Sequence, residues 1–128
     1  LIEILVTVSI IGLLTMIGLT NFRVANQKAR DGRRQGDLEQ IKAALELYRT
    51  DEAEYPTDIS SGTIQSPTGT VYMNEVPTDP ISTREYYYSS DSDTYTLCAA
   101  LELDLSGTCG GNSCGTGVTC NYQVTSPL

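Results

Sequence analysis

Residues 4–22 (ILVTVSIIGLLTMIGLTNF) run without a charged side chain. Their polar positions are Thr7, Ser9, Thr15, Thr20 and Asn21, and their glycines are Gly12 and Gly18. Apolar residues fall on every face of the helix this run predicts, so it has no amphipathic stripe. A helix over 4–22 spans about 28 Å, close to the hydrocarbon thickness of a bilayer. A 128-residue chain is too small to wrap such a helix on all sides. A signal peptide would show a basic start and small residues at a cleavage site after the run. Instead Asn21-Phe22-Arg23 leads directly into helix-compatible sequence. The pattern predicts a membrane-capable helix over residues 1–22.

Over residues 23–54 the pattern changes. From Leu38 onward, Leu38, Ile41, Leu45 and Tyr48 fall at spacings of 3, 4 and 3. That is one apolar stripe, the amphipathic continuation of the same helix, fit to pack on a partner surface. The first Pro is Pro56, so a single helix from about Ile2 to Thr50 is permitted, roughly 75 Å long. Gly12, Gly18, Gly32 and Gly36 are its weak points, each costing about 1 kcal/mol relative to Ala. Gly32 and Gly36 have the spacing of a helix-dimer motif, but Arg33-Arg34-Gln35 lies between them and the motif belongs in lipid.

Residues 55–128 carry short β-like runs at 71–73, 85–89, 95–103 and 118–124, separated by turn-rich stretches. So short a segment buries little core alone and needs staples and the helix stripe. The fold class expected is α+β: a long N-terminal helix whose second half packs on a small antiparallel sheet, with a Cys-rich C-terminal loop region.

Composition narrows function by exclusion. The chain has no His, which removes the commonest general base and metal ligand. Neither a nucleophile–base pair nor a phosphate loop is present, so no enzymatic activity is expected. The net charge of −8 is an average of opposed parts. Residues 1–50 hold seven basic and five acidic residues; residues 51–128 hold Arg84 against eleven acids. An acidic tail of that kind repels nucleic acid, so no direct contact with it is expected.

Glu3 stands beside the apolar run. An unpaired carboxylate in hydrocarbon costs several kcal/mol, so Glu3 requires either an interfacial position or a cationic partner. Leu1-Ile2-Glu3-Ile4-Leu5-Val6 followed by Ile10-Ile11-Gly12-Leu13-Leu14 resembles the N-terminal segment of type IV pilins and type II secretion pseudopilins. The similarity continues through Ala29-Arg30-Asp31, Ile41-Lys42-Ala43-Ala44-Leu45, Tyr48 and Tyr55-Pro56-Thr57. It is weaker over Pro77-Thr78-Asp79-Pro80, Tyr86-Tyr87-Tyr88 and residues 95–102.

The resemblance implies a pilin-like fold and a structural subunit that polymerises through its apolar helix. The major pilin of an extracellular filament is the first expectation. The alternatives are the major pseudopilin of a type II secretion system and a minor pilin acting as a tip-binding module. It further implies a leader cleaved by a prepilin peptidase, with a methylated Phe and one more residue preceding the Leu-Ile-Glu run. It implies residence in the inner membrane before assembly, then a homo-oligomeric helical filament built with the assembly machinery. The glutamate matching Glu3 pairs with a neighbouring subunit's N-terminal amine, which would set register more than stability. Many members have a Pro near the position of Thr20, where the helix melts on assembly. This chain has none there, so melting is expected between Gly12 and Gly18.

Cys98, Cys109, Cys114 and Cys120 lack the paired C-x-x-C knuckles of a zinc site. Four cysteines in a small exported domain read as two disulfides. Adjacent strands at 95–101 and 118–124 would favour Cys98–Cys120 with Cys109–Cys114. Asp91, Asp93, Glu102 and Asp104 offer hard oxygens, and the major pseudopilin binds calcium in its C-terminal loops. Asp91-Ser92-Asp93 lacks the remaining ligands of an EF-hand, so a solvated acidic face is the expectation, with no cofactor. Successive Tyr86, Tyr87 and Tyr88 on a strand should face alternately to the two sides.

Overall fold

The computed structural model describes residues 1–127; Leu128, the last residue of the third segment, lies outside them. Helix α1 covers Ile2–Glu52 without a break, passing through Gly12, Gly18, Gly32 and Gly36. It stops at Ala53, which adopts the left-handed conformation (φ 64°) and donates its N–H to Arg49 O at 2.8 Å. Pro56 follows three residues later, where the helix could not have continued.

Five short strands follow: β1 (Ile64–Gln65), β2 (Val71–Met73), β3 (Tyr87–Ser90), β4 (Tyr95–Ala99) and β5 (Tyr122–Thr125). They form two antiparallel sheets, β1-β2 and β3-β4-β5. β1 carries no alternation that its two residues could display, which is why the sequence pattern gave no sign of it. The strand expected over 95–103 ends at Ala99. Beyond it, Asn121 replaces the ladder by side-chain bonds to both the N–H and the C=O of Leu101, at 2.7 and 3.0 Å. The run expected over 118–124 starts late, because residues 114–120 are drawn into a disulfide loop before Tyr122 joins β4.

The core forms where the helix stripe meets the sheets. Leu38, Ile41, Leu45 and Tyr48 are buried against Tyr55, Ile64, Tyr95, Leu97 and Val124. Leu97 lies in register between Tyr88 on β3 and Val124 on β5, so the central strand feeds the core from its middle. Tyr86 and Tyr88 pack on this cluster, whereas Tyr87 packs on the cysteines, the alternation a strand imposes. Tyr86 Oη donates to Asp37 Oδ2 at 2.7 Å and Tyr88 Oη to Pro56 O at 2.6 Å.

The disulfides correct the expected pairing. They join Cys98 to Cys109 and Cys114 to Cys120, not Cys98 to Cys120 and Cys109 to Cys114. The register explains the change: Cys98 stands opposite Gln123, three residues beyond Cys120, so the two cysteines are not cross-strand neighbours. The bonds close loops of sequence separation 11 and 6, local staples rather than a strand-to-strand tie. In the chain-entropy account each contributes about 2–3 kcal/mol. All four sulfurs are buried in a second small cluster with Ala100.

Candidate functional site

Among the described residues, nothing packs against the first half of α1. Every residue from Leu1 to Asn26 is exposed, including Ile2, Ile4, Leu5, Val6, Ile10, Leu13, Ile17 and Phe22. No part of its most apolar window is buried in the protein. Water cannot be the working environment of such a surface, since monomers rarely leave more than a few hundred Å² of contiguous apolar area uncovered.

The hydroxyl side chains inside this segment are consistent with an apolar surrounding. Thr7 donates to Ile4 O, Ser9 to Leu5 O, Thr15 to Ile11 O and Thr20 to Ile17 O, at 2.7–3.1 Å. Each hydroxyl is satisfied by its own helix and needs no water. Glu3 lies exposed in the first turn, where a carboxylate complements the positive end of the helix dipole. Gly12 and Gly18 are open on all sides, with no atom outside the local helix near the place a Cβ would occupy.

Where the bare segment joins the globular part, an ion network fixes the two together. Arg34 is 0% exposed. Its Nε and Nη2 donate to Asp79 Oδ2 and Oδ1 at 2.7 and 2.9 Å, a two-pronged bond. Its Nη1 donates to Asp31 Oδ1 at 2.8 Å and to Glu102 Oε1 at 2.9 Å. Glu102 in turn receives both Nε and Nη2 of Arg30 at 2.7 Å. The Asp31 carboxylate also accepts the main-chain N–H groups of Glu102 (2.9 Å) and Leu103 (3.0 Å). Helix, 79-loop and 102-segment are thereby held by one set of charges. No buried side-chain nitrogen or oxygen among the described residues lacks a partner.

The electrostatics follow from these contacts. Hydrogen bonding to Arg30 and Arg34 outweighs the cost of burial and holds the Glu102 carboxyl down at about 2. Burial opposes the charge on Arg34, but its bonds to Asp79, Glu102 and Asp31 outweigh that and raise its pKa. Glu102 is therefore a bound anion of the protein's own making rather than a free hard oxygen. Asp91 is likewise engaged: it accepts the N–H and the hydroxyl of Thr94 at 2.8 and 2.9 Å, closing the β3–β4 hairpin, and these bonds lower its pKa. Asp104 accepts from Ser106 in the same manner. Asp93 is exposed beside them, and among the described residues no group of three or more His, Cys, Asp or Glu side chains is disposed to hold a metal ion.

Arg34, Asp79 and the role of Glu102 are the residues that reading for chemistry missed. One sign of them was present. The stripe at 38, 41, 45 and 48 continues backward at spacings of 4 and 3 to Arg34 and Asp31, oppositely charged residues on the buried face.

A long helix, half bare and apolar and half packed on small antiparallel sheets, defines a pilin-like subunit. Residues 21–113 match the model of the family described as Type II secretion system (T2SS), protein G, and the chain belongs to that family. No curated protein and no solved structure matches it.

Proposed function

We propose that this protein is the repeating structural subunit of a helical filament of the pseudopilus class. Its apolar helix rests in the inner membrane before assembly and is buried among copies of itself afterwards. The observation that carries this reading is the unbroken, wholly exposed apolar helix on an otherwise well-packed domain. Two surroundings suit it, lipid and other such helices, and the transfer between them exchanges one apolar contact for another. The family membership supports a pseudopilus in the periplasm and partners drawn from the secretion machinery.

Within the bundle Glu3 takes the N-terminal amine of a neighbouring copy as its counter-ion, since a lone carboxylate among apolar helices costs several kcal/mol. Gly12 and Gly18 are the points at which the helix loosens during assembly. A surface pilus is the second reading; the two disulfides that staple residues 98–120 suit it and a periplasmic pseudopilus alike, since both surroundings are oxidising. Expression of the full chain with its assembly machinery tests both. Filaments sheared from the cell surface mark a pilus, filaments confined to the envelope a pseudopilus, and no filaments in either place refutes the structural role.

A further inference from the structure

The basic residues that follow the apolar segment divide into two groups. Arg30 and Arg34 turn inward and are consumed by Glu102, Asp79 and Asp31. Arg23 and Lys28 are exposed, and among the described residues neither has a carboxylate within ion-pair distance. Arg33 is also exposed, with Asp37 at a loose 3.9 Å. At about 100° per residue, positions 23, 28 and 33 are separated by roughly 140° each, so they encircle the helix instead of lining one face. Arg23 immediately follows the uncharged run, and Lys28 lies about 7.5 Å farther along the axis, within one Debye length at physiological salt.

We infer that Arg23 and Lys28, with Arg33 as an outer member, form a collar that binds the phosphate headgroups of anionic lipids while the subunit waits in the membrane. The inference rests on the reading that the apolar helix spans the bilayer. Ordered along the helix, the hydrocarbon-matched segment ends at Asn21-Phe22 and the free cations begin at the level of the headgroups. Acid in this stretch of helix is confined to Asp31, which is buried and already paired. The exposed carboxylate of Asp104 belongs to the segment docked at Asp31, about 12 Å beyond Arg23. The domain beyond is strongly acidic, so an anionic surface attracts the collar and repels the domain. The two forces set insertion depth and hold the domain clear of the bilayer. A ring of cations suits a partner that surrounds the helix, as headgroups do, better than an acidic protein approaching from one side.

The test reconstitutes the full-length chain in phosphatidylcholine bilayers holding a trace of spin-labelled phosphatidylglycerol or spin-labelled phosphatidylcholine, and reads the immobilised fraction of each lipid. Phosphatidylglycerol should be preferred by up to about fivefold for each of Arg23 and Lys28, falling as salt is raised. Arg23→Gln with Lys28→Gln should bring the two lipids to parity, and Arg23→Lys with Lys28→Arg should keep the preference. Both residues are solvent-exposed, so intact disulfides in each variant verify the fold. Equal immobilisation of the two lipids by the wild type overturns the collar and leaves membrane anchoring intact. Immobilisation of neither lipid overturns the anchoring itself. A neutralised variant that keeps its lipid preference but forms no filaments assigns the collar to contacts between copies, and overturns its lipid role.

Discussion

Arg34 and Asp79 are joined by two hydrogen bonds of 2.7 and 2.9 Å across 45 residues of sequence, with the guanidinium wholly shielded from solvent. Removing Arg34 leaves the buried Asp79 carboxylate without its cation, at a cost of about 3–5 kcal/mol, whereas removing Asp79 leaves Arg34 with Asp31 and Glu102 and costs less. Arg34→Ala should lower the unfolding free energy of the full chain in detergent, read from denaturant melts, by that order and Asp79→Ala by less, with Arg34→Lys intermediate because it loses the two-pronged geometry. An unfolding free energy of Arg34→Ala within 0.5 kcal/mol of wild type would mean that the network does not secure the domain to its helix.

Glu102 gives the network a signature in pH. Its carboxyl titrates at about 2 when folded, below the ordinary 4.5. The folded state therefore binds this proton less readily than the unfolded state does. The stabilisation is fully present above about pH 4.5 and is lost as pH falls from there toward 2. Glu102→Gln should flatten that part of the acid limb in a pH series of thermal melts. An unchanged limb would place the acid sensitivity on other carboxylates.

Ala53 occupies a conformation that glycine adopts without steric penalty. Ala53→Gly should raise stability by about 0.5–1 kcal/mol, because relief of the left-handed strain outweighs the added freedom of the unfolded chain. Gly115 is the converse case. At φ 134° a Cβ there would collide with the main chain at Thr83 and Arg84, so Gly115→Ala should destabilise the domain measurably in the same melts.

The disulfide pairing is decided by single substitutions. Cys98→Ser should release one thiol, located at Cys109 by alkylation and mass spectrometry of the unreduced protein. A thiol found at Cys120 instead would restore the cross-strand pairing.

The helix and its packing were legible because both depend on periodicity. Nothing before Pro56 stops the helix, and Leu38, Ile41, Leu45 and Tyr48 carry the period that places them on one buried face. Arg34 was not legible in the same way, since an arginine in a charged stretch reads as solvated. Its partners lie 45 and 68 residues away in turn-rich segments whose path no local pattern specifies. Glu102 was read, with Asp91, Asp93 and Asp104, as part of a solvated acidic face for the same reason. The cysteines gave the number of bonds, but their pairing depended on a register offset of three residues between β4 and β5, which neither strand's composition encodes.

The claim on which the account turns is that the bare helix is buried among its own copies. Electron cryomicroscopy of the assembled full-length chain tests it directly. The predicted result is a helical filament with residues 2–22 in its core, Glu3 beside the first residue of a neighbouring subunit, and the acidic domains outside. Filaments whose core excludes these residues, or a purified full chain that stays monomeric under every assembly condition, would contradict it.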